Sequence, residues 1–247
     1  IIAIVKEDGA GAHNSRFSGS YIGDRLEQEQ SRVIADGTFK ELYIGDYWTI
    51  GGINWRIAHF NYWLGTGDTK CTKPHAVIVP DIRLYDAQMH STPSGNYEDG
   101  AATTPEGGYI GTDMYKTGMN RAKTTITDAF GADHILTHRE LLVNAVANGK
   151  PASHAWYDST VELMNECMVY GRHVFAPACD GTFIPRLHTI DKSQLAMFAL
   201  CPNLICVRAG WWLRDVVSGD YFADAGWCGF ADCNLASYAL GVRPAFG

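Results

Sequence analysis

The sequence predicts an α+β fold, and three observations carry that prediction. Two strand-like runs, 43–50 and 53–60, flank Gly51-Gly52. A helical stripe follows in the middle of the chain, and from Leu204 onward the pattern returns to strands and loops. Strands near both ends that share a sheet around a helical, loop-rich middle make an α+β arrangement. The 247 residues suffice for one large domain with a real core.

The hairpin is the clearest element. Ile53, Trp55, Ile57 and His59 alternate with Asn54, Arg56 and Ala58, and paired glycines supply the positive φ of a two-residue turn. A third strand, 75–80, stops at Pro80. Tyr115, Met119, Ala122, Ile126 and Phe130 line one face of a helix over 113–130, which Gly131 ends. Thr137-His138-Arg139-Glu140 has capping-box spacing and predicts a helix through Leu141–Val146, closing at Asn148-Gly149. Asp158 or Ser159 is placed to cap another through Val161, Met164 and Met168, ending at Gly171. Asp191 is placed to cap a short one through Leu195 and Phe198. Residues 1–44 read as an arm. The small polar stretch Gly9–Ser15 is expected not to pack, and a mostly polar helix over 24–34 is suited to docking on another subunit.

Charge and apolar runs narrow the function. Twenty basic residues against 27 acidic give a net charge of −7, with no Lys/Arg cluster, which argues against nucleic-acid binding. No apolar run reaches the roughly 18 residues of a membrane span, and the opening five apolar residues are too short for a signal-peptide core. Seven cysteines, an odd number, fit folding in a reducing cytoplasm better than a disulfide scaffold.

The sequence carries no phosphate-binding glycine loop, no nucleophile elbow and no zinc-protease motif. His134 and His138, four apart, and the pairs Cys201/Cys206 and Cys228/Cys233 are weak metal candidates. Ordinary packing is the simpler account of both. No catalytic residue, metal or cofactor is assigned. The segment GDYFADAGWCGFADCNLASYAL, 219–240, differs from the rest. Small residues recur between unlike large ones, no helical or strand period fits, and Lys, Arg, Glu, Gln and Met are missing. A wandering core loop is one reading. A fixed frame displaying varied side chains at a recognition surface is the other.

Trp211-Trp212-Leu213-Arg214-Asp215-Val216-Val217-Ser218, this segment, and then Gly241-Val242-Arg243-Pro244-Ala245-Phe246 resemble the variable proteins of diversity-generating retroelements, in the phage and prophage branch with a C-type-lectin fold. Upstream stretches 9–15, 45–47, 134–142 and 165–171 resemble framework of the same family. In that family a reverse transcriptase rewrites the 3′ end of the gene with errors at adenines, so that Asn codons scatter over many residue types. Such codons do not reach Lys, Glu, Gln, Met or Trp, and Trp227 departs from that pattern.

The resemblance implies a C-type-lectin-like ligand-binding domain over 45–247, with a variable region at about 219–241. Diversified ligand contacts would be Tyr221, Asp224, Gly226, Trp227, Cys228, Phe230, Asp232, Asn234, Leu235, Tyr238 and Leu240. Phe222-Ala223, Gly229, Ala231, Ala236-Ser237 and Gly241-Val242-Arg243-Pro244 would be frame, on a scaffold of Trp211, Trp212, Arg214, Asp215 and Arg243. It further implies a non-enzymatic receptor-binding protein of a virion, at a tail tip or head surface, trimeric through residues 1–44. Its partners would be other virion proteins and a bacterial surface protein or glycan, without membrane insertion. Two alternatives share the broad fold. One is a formylglycine-generating type of oxidase using a cysteine pair. The other is a fixed lectin module, although the calcium–sugar motifs Glu-Pro-Asn and Gln-Pro-Asp are missing.

Overall fold

Thirteen strands form two mixed sheets and a long hairpin in the computed structural model, which describes residues 9–91, 107–177 and 194–247. The first sheet has six strands in the order β1 (Tyr21–Gly23), β2 (Tyr47–Ile50), β3 (Ile53–Phe60), β4 (Ala76–Pro80), β13 (Pro244–Phe246) and β8 (Val161–Leu163). The second has five: β11 (Ala231–Leu235), β10 (Tyr221–Ala225), β9 (Trp211–Val216), β12 (Ala239–Val242) and β5 (Tyr85–Gln88). β6 (His138–Ala147) and β7 (Lys150–Ser159) pair with each other. The helices are short: α1 (Ala10–His13), α2 (Gln28–Ala35), α3 (Asn120–Phe130), α4 (Glu166–Tyr170) and α5 (Ala196–Leu200). The predicted α+β class holds, with strands from both ends of the chain in one sheet.

The Gly51-Gly52 hairpin forms as predicted, with φ of +62° and +76° at the two glycines. Its alternation fails late in β3, where the register slips between Ile57 and His59 and Phe60 takes the buried side. α3 buries Ala122, Ile126 and Phe130, and Gly131 at φ +84° ends it. The first part of the predicted stripe, around Tyr115, is instead a single π-helical turn over Met114–Gly118. Phe130 meets Trp48, Trp55 and Phe246 edge-on, at 5.1–5.8 Å between ring centroids, which seats α3 on the first sheet.

Three sequence expectations are corrected. Residues 138–146 are strand β6, not a capped helix. Asn148 (φ +51°) and Gly149 (φ +68°) form the tight turn into β7, a conformation that Asn-Gly accepts readily. In the strand, His138, Glu140 and Leu142 alternate onto one buried face, and that burial outweighs the capping pattern.

The helix expected from Ser159 starts only at α4. There the Asn165 side chain accepts the Met168 amide at 2.7 Å, and Gly171 closes the turn at φ +78°. The Gly9–Ser15 stretch packs rather than dangles. His13 is buried among Phe39, Tyr43 and Phe60, and Asn14 exchanges two hydrogen bonds with the Phe60 backbone. Helix α2 carries a capping box between Glu27 and Gln30, and the Gln30 carboxamide oxygen also accepts the Trp48 indole N–H. Helix α5 starts at Ala196, whose N–H donates to His59 Nδ1. Asp191, named as its cap, lies outside the described residues.

One buried ion pair joins the three sheets. Arg214 on β9 donates to both carboxylate oxygens of Glu140 on β6, the closer at 2.8 Å, and to the Leu163 carbonyl of β8 at 3.0 Å. Glu140 also accepts the Trp63 indole at 3.1 Å and lies 3.2 Å from His138 Nε2. Burial favours protonating this carboxyl, but Arg214 and His138 outweigh it and hold the pKa below the ordinary glutamate value. Removing one member of such a pair strands the other's charge in the core. Arg214→Met is therefore expected to cost about 3–5 kcal/mol of unfolding free energy in urea titrations; a loss below about 1 kcal/mol would contradict this role.

Candidate functional site

The segment singled out in the sequence builds the outer half of the second sheet. β10 pairs antiparallel with β9 on one side and β11 on the other, and β12 runs parallel to β9 on its far side. All six residues of β9 are buried, so the segment lies on a filled core.

The predicted scaffold residues do what their types require. Trp211 and Trp212 are fully buried and donate their indole N–H groups to the carbonyls of Ile205 (3.2 Å) and Ala87 (2.9 Å). Arg243, also buried, donates to the Pro80 and Leu204 carbonyls, both at 2.9 Å, and lies over the rings of Trp211 and Phe198. Burial lowers its pKa to about 10, so it stays charged at neutral pH, held by carbonyl dipoles and aromatic faces rather than by a carboxylate ion pair. Asp215 Oδ2 accepts the Glu166 amide at 2.7 Å and so fixes the start of α4.

The β10–β11 turn is held from both sides. Gly226 and Gly229 close it with backbone bonds of 2.8 Å, and Gly229 sits at φ +89°. Cys206 Sγ–H donates to the Trp227 carbonyl at 3.3 Å, and Tyr170 Oη–H donates to the Gly229 carbonyl at 3.4 Å. A Cβ on Gly229 would lie 3.1 Å from the Cys206 amide nitrogen, so the turn rests directly on the 202–206 segment. At the other end of the strands, the Ala236 amide donates to the Asp220 carbonyl at 3.0 Å, and Gln88 on β5 donates to the Ser237 carbonyl. Tyr170, Cys206 and Gln88 were not legible as supports, because each reaches the segment only through the tertiary fold.

On this backbone the large side chains face water. Trp227 is 65% exposed, Tyr238 52%, Phe230 45% and Tyr221 37%; Cys228 is exposed, and Asp232, Asn234 and Leu235 are half-buried. Of the positions assigned to the frame, Phe222, Ala223, Ala236, Gly241, Val242 and Arg243 are buried, whereas Gly229, Ala231 and Ser237 are half-buried. Leu240 is intermediate, with its side chain against Gly210.

Two positions expected at the surface are inside. Asp224 is only 1% exposed. It stands opposite Asp232 in register, accepts from the Asn234 side chain, and is pushed up to about pKa 6 by burial and by the neighbouring Asp232 carboxylate. Gly226 is buried because the Phe230 ring lies where its Cβ would be.

The sequence candidates for metal binding separate. His138 stacks on Trp63 and bonds Glu140, whereas His134 is exposed and contacts Ser31. Cys201, Cys206, Cys228 and Cys233 are free thiols, and Cys179 lies outside the described residues. Among the described residues one group of potential ligands does come together: Glu166, His173 and Asp215, with ligand atoms within 4.8 Å of one another. Its centre is already engaged, because the Glu166 carboxylate accepts the amides of Val174, Phe175 and Ala176 at 2.9–3.1 Å. That arrangement clasps the 174–176 segment onto α4. No described helix is long and apolar enough to cross a membrane.

Gly226→Ala sets a methyl group against the Phe230 ring and is expected to cost about 1–3 kcal/mol. Trp227→Ala, one turn position away and exposed, is expected to stay within about 0.5 kcal/mol of the parent. Urea unfolding of both variants checks the contrast, and equal losses would contradict a structural role for the buried Gly226.

No family model, curated protein or solved structure matches the chain, so the functional reading rests on the burial and chemistry of this face.

Proposed function

We propose that the protein binds a ligand rather than transforming one, and that its binding surface is the retroelement-diversified face of a C-type-lectin-like domain. The observation that carries this reading is the exposure of Tyr221, Trp227, Phe230 and Tyr238 within eighteen consecutive positions of a segment in which Phe222, Ala223, Ala225, Gly226 and Ala236 are buried. Exposing four large rings costs solvation and gives the fold nothing, whereas aromatic anchors on a fixed backbone are what protein recognition uses. The resemblance in 211–218 and 241–246 supports the same division into frame and face.

On this reading the chain is a receptor-binding protein of a phage or prophage particle, at a tail tip or on the head, and its ligand is on a bacterial surface. Residues 1–44 carry the contacts of a homotrimer and join it to other virion proteins. Many copies on one particle would raise avidity through effective concentration even where each face binds weakly. The contact residues are Tyr221, Trp227, Cys228, Phe230, Asp232, Asn234, Leu235 and Tyr238. Asp224 acts from beneath them.

Deep sequencing of the 3′ end of the gene, from a population that carries it, tests the reading. The expected result is substitution confined to codons of about residues 221–240, at adenines of a nearby template repeat beside a reverse-transcriptase gene. A uniform 3′ end with no repeat would overturn diversification and leave a fixed lectin-fold module.

A further inference from the structure

We propose that His59 is an acid-sensitive latch: a proton on its ring opens helix α5 and the 202–206 segment behind it, and so unseats the turn at 226–229. The geometry fixes which form of the ring the fold needs. The Ala196 amide at the start of α5 points at His59 Nδ1, 3.0 Å away. A backbone N–H can only donate, so Nδ1 carries a lone pair and the imidazole is neutral, with its proton on Nε2. Protonating the ring makes Nδ1 a donor too and sets two N–H groups against each other, which breaks the bond.

His75 repeats the arrangement beside it. Its Nε2 accepts the Trp63 amide at 3.1 Å while Nδ1–H donates to the Lys73 carbonyl at 2.9 Å, so this ring is also held neutral. Burial is the main reason that both rings resist a proton. Each also faces another imidazole, His59 facing His75 and His75 facing His138 beyond Trp63. Both are pushed down to about pKa 4. Tyr62 packs edge-on against His59 at 5.2 Å between ring centroids, Val77 lies opposite it on β4, and α5 brings no titratable side chain. Among the described residues no carboxylate acts on either ring.

From α5 the path to the turn is continuous. Phe198 on α5 and the Leu204 carbonyl both meet Arg243, Trp211 donates to the Ile205 carbonyl, and Cys206 bonds the Trp227 carbonyl. The Ile205 side chain and the Cys206 amide lie directly against Gly229. None of these contacts depends on what the exposed face binds or on how its residues arose.

Opening returns His59 to the ordinary histidine pKa of 6.5. A ring whose folded pKa is lower than that gives stability that is complete above pH 6.5 and is lost as pH falls toward 4. Between about pH 7 and about pH 5, one such histidine raises the opening constant about twentyfold. Asp224 on β10, pushed up to about 6, has the opposite sign, because its proton favours the folded form as pH falls.

Amide hydrogen exchange on the intact chain at the two pH values, corrected for the intrinsic pH dependence of exchange, tests the proposal. The expected result is protection that falls about twentyfold over 196–206 and at the Gly226 and Gly229 amides, but less than about threefold over the β2–β3 hairpin. In His59→Asn the acid-dependent fall should vanish, because the Asn Oδ1 takes the place of Nδ1 as acceptor and does not titrate.

An equal fall over the hairpin marks general acid unfolding and overturns the proposal. Unchanged protection at 196–206 overturns it, as does opening there with the turn amides unmoved, or a fall that persists in His59→Asn. If His59→Asn fails to fold, nitrogen-15 NMR of the parent's imidazoles decides. A His59 ring that stays neutral down to about pH 5 with its proton on Nε2 upholds the latch, and one that titrates near the ordinary value or carries its proton on Nδ1 overturns it.

Discussion

A guanidinium taken out of water must recover its hydrogen bonds inside the protein, and Arg214 recovers them from two directions. Glu140 comes from the long hairpin, the Leu163 carbonyl from the edge strand of the first sheet, and Arg214 itself from the second sheet. A pair of this kind adds little net stability over an apolar substitute, yet it tolerates few other arrangements, because any slip leaves a charge unpaired. It therefore fixes how the sheets sit against one another more than how tightly they hold. Arg243 works in the same way one layer over, joining β4, the 202–205 segment and β9 through two carbonyls and two rings.

With β9 pinned at Arg214 and Arg243 bonded beside it, β10 has a fixed surface to lie on, and its side chains divide by position. Phe222 and Ala223 fill space against the core, while the turn at 226–229 carries Trp227 and Cys228 outward. The turn depends on contacts to Cys206 and Tyr170 that use backbone carbonyls, and such contacts do not depend on which side chains residues 227 and 228 carry. That independence is what a surface of arbitrary side chains needs from its support.

Much of this was legible in the sequence where a local rule had no competitor. The Gly51-Gly52 hairpin, the strand ending at Pro80 and the stop at Gly131 each depend on one or two residues whose backbone preferences decide the outcome. The 137–146 stretch has genuine capping-box spacing, and burial of His138, Glu140 and Leu142 on one face of β6, with Glu140 held by Arg214, overrides it. That partner is 74 residues away and leaves no local trace. The division of 219–240 into frame and face comes from a family resemblance, and burial agrees with it at Phe222, Ala223, Ala236 and the exposed Tyr221, Trp227, Phe230 and Tyr238. It failed at Asp224 and Gly226, whose burial is set by Asn234 and by the Phe230 ring across the hairpin.

The central claim is that stability resides in the frame and recognition in the exposed side chains, so that the two can be changed separately. The most direct measurement is the urea unfolding curve of a variant with Tyr221, Trp227, Cys228, Phe230 and Tyr238 all replaced by serine. The account predicts an unfolding free energy within about 2 kcal/mol of the parent with an unchanged slope, since exposed positions each contribute a few tenths of a kcal/mol. A loss of about 5 kcal/mol or more, or a chain that no longer unfolds cooperatively, would mean that these rings hold the fold together and would contradict the separation.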